Sequence, residues 1–315
     1  CKRAGMKPFA VCDVDPERLK IAETDWPGIE TYTDLGRMLK QSAVDMIIHI
    51  TPHNLHYKLA AQCLRAGKHV VTEKPFVLTT SEADRLIKLA REKRRMVSTY
   101  HNRHWDGWIL RAVREVVDKG VIGDVFRIDA HSGGYAMPKE WWRTSKTISG
   151  GVLYDWGVHL LEYGLQIIDS DVVEVSGYAR SGYWPTQMPA KHPWKKDANE
   201  DEARAVARFA NGAWMELTVT TLGSANPPYA LGIFGTKGCY LIHFRDGWTT
   251  RIANARGELV EKTGKHPKSR GDLFYKNVAQ YLTGQEKLII TPEWARRPIH
   301  ILDLAGRSIA QGKAL

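Results

Sequence analysis

The 315-residue sequence predicts two units in series: an α/β unit with a parallel sheet, then an α+β unit built on a large, open, mainly antiparallel sheet. Three observations carry this. First, Met46 to Pro75 reads as a strand, a helix and a strand: the apolar, β-branched run up to Ile50 breaks at Thr51-Pro52. Leu55, Leu59 and Cys63 recur at helical spacing up to Gly67, and His69 to Thr72 is again β-branched. So short a connection implies a right-handed crossover between parallel strands. Second, β-rich runs follow one another without intervening helices from about residue 172 to 244, with Asn211-Gly212 as a strong hairpin turn. Third, the length exceeds what one core usually supports.

Taken in order, Cys1 to Pro8 reads as the tail of a helix with Gly5 as its cap, and Phe9 to Val14 as a strand. Asp15-Pro16-Glu17 opens a helix, with Asp15 as the cap. Tyr32 to Lys40 is expected to be a short helix and Val44 to Ile50 a strand. After Pro75 the amphipathic run from Ser81 to Arg95 is a helix, with Ser81 and Asp84 spaced as a capping box. Met96 to Tyr100 is a strand, Trp105 to Lys119 a helix ending at Gly120, and Val125 to His131 the first strand of the second unit. The boundary is placed at residue 120, giving units 1–120 and 121–315. In the second, strands are expected over 172–179, 203–209, 213–221, 229–235 and 239–244, with a looser turn at Lys237-Gly238. Phe274 to Leu282 and Trp294 to Ala310 are helical.

Composition excludes several classes. No apolar run approaches the ~18–20 residues of a membrane span. Cys1, Cys12, Cys63 and Cys239 are scattered without C-x-x-C spacing, which argues against zinc and disulfides and fits a reducing, cytoplasmic setting. The net charge of +10 raises the question of nucleic acid. The basic runs Arg91 to Arg95 and Lys191 to Lys196 are short and belong to no nucleic-acid module, so they read as solvated surface.

In a parallel sheet ligands sit beyond the carboxyl ends of the strands, so Thr51 to His56, Glu73-Lys74-Pro75 and Asn102-Arg103 share one rim. A second stretch, S-G-G-V-L-Y-D-W-G-V-H over 149–159, sets two glycines before an apolar helix on which Asp155 and His159 are four apart and share a face. Such a pair also occurs as a plain helix contact or, with further ligands, as a metal site. No further ligand stands at sequence spacing, so no metal is expected.

The motifs T-P-H-N-L-H, A-G-K-H-V and E-K-P, with G-G-V-L-Y-D-W-G-V-H, resemble those of the Gfo/Idh/MocA family of nicotinamide-dependent sugar and cyclitol dehydrogenases. The resemblance covers nearly the whole chain and implies an N-terminal Rossmann-like sheet followed by a substrate-binding and oligomerisation unit. It implies Lys74, Asp155 and His159 as the catalytic trio, with Trp156 where relatives carry a smaller residue. It also implies Thr51, Pro52, Asn54 and His56 along the cofactor and Glu73 near the nicotinamide ribose. Asn54 and His56 read equally well as residues that stabilise the helix they begin. The family's glycine-rich turn, G-x-G-x-x-G, does not occur in these residues, so the expectation is that the first strand and that turn precede them.

The chemistry is coherent on its own terms. Oxidising a secondary alcohol needs a base near neutral pKa on the hydroxyl, which histidine provides. A lysine can bond the same oxygen, Asp155 a neighbouring hydroxyl, and Lys74 disfavours protonation of the histidine. Asp13, ending a strand, can accept from both ribose hydroxyls and repel a 2′-phosphate, which favours NAD over NADP; otherwise it serves the following helix start. Asn102 is expected at the cofactor, and Arg103, Trp142 and Arg143 at the substrate, where an indole stacks on a sugar face and a guanidinium grips a hydroxyl or carboxylate. Packing is the alternative for the tryptophans, and His53, His101 and His104 read as surface or packing residues. The function expected is hydride transfer between a sugar or cyclitol alcohol and a nicotinamide cofactor. Alternatives are an NAD-dependent glycosidase acting by transient oxidation and elimination, or a cofactor-free binding remnant. Partners are a small-molecule carbohydrate or polyol, neither nucleic acid nor membrane, and a homodimer or homotetramer.

Overall fold

The computed structural model describes residues 4–225 and 227–315; the first three residues of the helix tail expected over 1–8 lie outside them. The first part alternates strands and helices: β1 (Ala10–Cys12), α1 (Pro16–Asp25), β2 (Glu30–Tyr32), α2 (Leu35–Gln41), β3 (Met46–His49), α3 (His56–Arg65), β4 (His69–Thr72), α4 (Thr80–Lys93) and β5 (Val97–Thr99). β1 pairs with β2, and β3 with β4 and β4 with β5, all in parallel. Asp15 caps α1 by accepting from Glu17 N at 3.0 Å, with Pro16 in the first turn.

Three expectations here are corrected. Tyr32 belongs to β2, and α2 begins only after Asp34, whose side chain accepts from Arg37 N at 2.7 Å. The capping box of α4 is Thr79 with Glu82: Thr79 Oγ1 accepts from Glu82 N, and Glu82 accepts from Leu78 N, each at 3.2 Å. Asp84 instead pairs with Arg296. The expected helix 105–119 is broken into a 3-10 turn (102–105), α5 (Gly107–Ala112) and a π turn (113–118). Asp106, which would cap α5, accepts from Tyr163 Oη at 2.7 Å instead.

The second part comprises β6 (Val125–Gly133), α6 (Lys146–Ser149), α7 (Leu153–Leu165), β7 (Val172–Arg180), α8 (Tyr183–Gln187), β8 (Glu202–Phe209), β9 (Trp214–Thr220), β10 (Leu231–Gly235), β11 (Gly238–His243), β12 (Gly247–Ala253), β13 (Leu259–Gly264), α9 (Leu273–Leu282) and α10 (Pro292–Gln311). Eight strands form one sheet in the order β13-β12-β11-β10-β6-β9-β8-β7, antiparallel throughout except β6 with β9. Asn211-Gly212 joins β8 to β9, with Gly212 at φ +86°, where a side chain would be strained.

The buried rows of β8 and β9 (Ala203, Ala205, Ala207, Met215, Leu217) are mostly small or flexible, so α7 and α10 approach closely. Every residue of α7 except Asp155 and Trp156 is buried. The end of the chain also serves the first sheet: Ala295 and Ile299 of α10 join the core of α3 and α4, and Phe274 and Val278 of α9 pack on Val71 and Met96.

Gly177 of β7 lies where a Cβ would come 2.3 Å from the carbonyl oxygen of Ala305 on α10. Gly177→Ala is therefore expected to push α10 off the sheet and cost about 1–3 kcal/mol, read as a lower urea midpoint at unchanged slope. An unshifted midpoint would show that the helix gives way freely.

Candidate functional site

Parallel pairing brings the ends of β3, β4 and β5 to one rim, as expected. Glu73 N donates to His49 O at 3.0 Å and Tyr100 N to Thr72 O at 2.8 Å, so residues 73 and 100 stay in register just past the strands. The Lys74–Pro75 peptide is cis. Beneath it His56 is wholly buried, with Nδ1 2.7 Å from Pro75 O and Nε2 3.0 Å from Thr51 O. His56 thus joins the 51–56 loop to the lysine turn from inside the protein. Of its two readings the stabilising one holds, because a side chain without surface cannot touch a ligand. Asn54 is exposed on the rim, and no side-chain bond caps the turn it lies in.

Opposite, Gly150 and Gly151 take φ +92° and +116°, turning the chain sharply from α6 into α7. A side chain at 151 would meet Glu200, whose carboxylate accepts from Val152 N at 3.0 Å at the start of α7. Burial of the rest of α7 leaves Asp155 and Trp156 facing the rim.

Lys74 Nζ donates to Asp155 Oδ1 at 2.5 Å and to the Asp155 carbonyl at 3.0 Å. Arg143 Nη1 donates to the same Oδ1 at 2.8 Å. One turn further along α7, His159 is buried, its Nδ1 is without a hydrogen-bond partner among the described residues, and its ring packs edge-on to Trp156. The structure thus brings Lys74 onto Asp155, with His159 one turn further along the same helix.

Each titrates under its neighbours. Burial alone would raise the Asp155 pKa, but the Lys74 ammonium and then Arg143 outweigh it and hold the carboxyl below its usual value. Burial lowers Lys74, and Asp155 opposes that. Burial, then the charge of Lys74, drives His159 well below the ordinary histidine value, so the ring is neutral. Glu73 is raised by burial and accepts from Lys74 N at 2.9 Å.

Other predicted residues are more occupied than expected. Arg103 stacks on Trp156 at 4.9 Å and reaches Asp106 at 3.4 Å. Trp142 packs edge-on to His53, with the Arg143 guanidinium 4.6 Å from its ring. Arg143 is thus turned onto Asp155 rather than standing as a free grip: a nearby half-buried carboxylate outcompetes solvent for the guanidinium. Asp13, 27% exposed, accepts from Asp15 N at 2.9 Å and lies 3.5 Å from Arg18.

Sequence reasoning read His53 and His104 as surface or packing residues and did not name Glu162. His53 is buried and hydrogen-bonded to Arg143. Glu162, without exposed surface, bonds His104 at 2.6 Å. Its position three residues after His159, on the same helix face, was the available signal.

The rim fits a nicotinamide nucleotide. Asp13 keeps part of its side chain exposed at the end of β1, and Asn54 is exposed on the loop after β3.

Residues 1–101 match the family model described as an oxidoreductase family with an NAD-binding Rossmann fold, and residues 110–241 match the GFO/IDH/MocA C-terminal domain. Over 160 residues the chain is 30% identical to the Bacillus subtilis scyllo-inositol 2-dehydrogenase (NADP(+)), covering 50% of this chain and 44% of that protein. It is 25% identical over 232 residues to Thermotoga maritima myo-inositol 2-dehydrogenase, covering 73% and 66%. The chain spans less than half the length of several curated relatives it matches. An NAD-binding protein from Listeria innocua superposes with a TM-score of 0.79 at 25% identity, over 98% of this chain and 88% of that one. No helix among the described residues is long and apolar enough to cross a membrane. With both of its units matched and its rim assembled around the same motifs, the chain belongs to the GFO/IDH/MocA oxidoreductase family.

Proposed function

We propose that this protein oxidises a secondary alcohol of a cyclitol or sugar with NAD, through Lys74, Asp155 and His159. The supporting observation is the Lys74–Asp155 pair, formed between the two units, with a neutral buried imidazole one turn beyond it. Relatives named as inositol dehydrogenases support the substrate class.

In this reading Asp13 holds the ribose hydroxyls, and Thr51, Pro52, Asn54, Glu73 and Asn102 border the nucleotide along the rim. When bound, NAD supplies the acceptor for the hydride leaving the carbinol carbon. Lys74 donates to the alcohol oxygen and stabilises the negative charge that develops there. His159, neutral beforehand, takes the hydroxyl proton. Asp155 accepts from a neighbouring hydroxyl and fixes which carbon faces the cofactor. Trp142 and Arg103 border the substrate. We place the division between the units at residue 120, with α9 and α10 packing on both.

The test is NADH formation across a panel of inositols and aldoses by the full-length protein carrying this sequence. Turnover of none of them, with NADH binding intact, would remove the polyol assignment. In the same assay Asp13→Ser should raise the NADP-to-NAD ratio of kcat/KM by about tenfold or more, since juxtaposing like charges costs several kcal/mol. An unchanged ratio would mean that Asp13 serves only its helix start.

The expected homo-oligomer belongs to the same proposal. Its surface would be the sheet face turned away from α7, where Arg127, Asp129, Arg204 and Glu216 lie together. Light scattering reads the mass directly, and a monomer at micromolar concentration would exclude it.

A further inference from the structure

We propose that His53 and Arg143 form a positioning pair that keeps Asp155 ionised and aimed when Lys74 turns to a bound substrate. The functional part of this rests on the dehydrogenase reading; the arrangement itself does not.

The hydrogen bonds fix the protons. His53 Nδ1 lies 2.9 Å from the carbonyl oxygen of Ser149, which can only accept, so Nδ1 carries the hydrogen. A neutral ring then presents a lone pair at Nε2, and Arg143 Nη1 stands 3.1 Å away to donate into it. The same Nη1 has a second hydrogen, which goes to Asp155 Oδ1 at 2.8 Å. The chain therefore runs without a break from the Ser149 carbonyl through the imidazole and guanidinium to the carboxylate. An imidazolium would break it by setting two donors face to face. His53 is 2% exposed, and burial lowers its pKa to about 3, so the ring stays an acceptor. Trp142 closes the arrangement, edge-on to His53 with ring centroids 4.8 Å apart and in cation–π contact with Arg143.

Asp155 Oδ1 takes both cations, while Oδ2 has no hydrogen bond among the described residues. When Lys74 leaves Oδ1 for an alcohol oxygen, a half-buried carboxylate loses its nearest charge. Arg143, immobilised by His53, stays on Oδ1, so that Oδ2 keeps its direction toward a substrate hydroxyl. His53 lies on the rim loop of the first unit and Ser149 in the second, so the pair also sets the register of the two walls.

The test has two arms. In protein labelled with 15N and 13C at histidine, the His53 signal, assigned by its loss in His53→Asn, should show the Nδ1-protonated tautomer, the minor one for free histidine. In Arg143→Leu its Nε2 shift should move to that of an unbonded lone pair. A His53 found protonated at Nε2, or as imidazolium, would overturn the arrangement, whether or not any polyol is oxidised. In the kinetic arm, His53→Leu should lower kcat about tenfold to a hundredfold with substrate KM and NADH affinity nearly unchanged. His53→Asn, whose amide can donate to Ser149 O and accept from Arg143, should recover most of that loss. Equal losses in the leucine and asparagine variants, or a loss confined to KM, would overturn the positioning role.

Discussion

Lys74→Met is expected to lower kcat by about 10²–10³, the usual effect of removing one donor aimed at developing oxyanion charge, while NADH still binds. The lysine stands at 13% side-chain exposure, donating to both a side-chain and a backbone oxygen of Asp155, so its ammonium is fixed before any substrate arrives. Methionine keeps the stem and its packing but has no donor. Asp155 loses its principal counter-charge, and burial then acts on it against Arg143 alone, so the carboxyl pKa rises. Lys74→Arg is not expected to restore activity, because a planar guanidinium cannot occupy the point that one ammonium holds between those two oxygens. Stopped or steady-state NADH formation with the best polyol reads the effect. A kcat within about threefold of wild type would remove the lysine from the chemistry and with it the proposed mechanism.

How much of this was legible in the sequence depended on how local each cause was. β4, bounded by Gly67 and by Glu73-Lys74-Pro75, was read to the residue, because its strand signal and its stops lie within a few positions. β12 and the edge strand β13 beside it were missed: β13 is exposed almost throughout, so no alternation of apolar residues exists to be read there. At the start of α4 the sequence was read in the frame Ser81/Asp84, whereas Thr79 and Glu82 form the cap and the distant Arg296 takes Asp84. At the site, helix spacing placed Asp155 and His159 on one face and the strand-end rule placed Lys74 opposite. Arg143 was named but its bond to Asp155 was not foreseen, since nothing in the twelve residues to Asp155 encodes that the loop folds back on it. His53 stood inside the quoted motif, yet its partners at 143 and 149 are some ninety residues away.

His159→Asn is expected to lower kcat/KM by about 10²–10⁴, the range for loss of a general base, and the pH profile separates that role from packing. A base acts only when unprotonated. Burial first, then the charges of Lys74, His101, Arg103 and Arg143, disfavour the imidazolium of His159, so its protonation falls well below pH 6.5. The wild-type rate should therefore hold its plateau down through pH 6.5 and decline only in more acid solution. Removing a neighbouring positive charge makes protonation easier, which raises the histidine pKa. In the residual activity of Lys74→Met the acid limb should accordingly move to higher pH, a shift that a merely space-filling His159 would not produce. The aspartate adds a rise of its own in that variant, but it remains with Arg143 and starts from below the usual carboxylate range, so the histidine is the group to follow near neutrality. Combining Lys74→Met with His159→Asn separates the two: if the upward-shifted limb persists without the imidazole, Asp155 is its source and His159 is not the base. If the limb disappears while the residual rate falls further, the proton leaves the alcohol through His159.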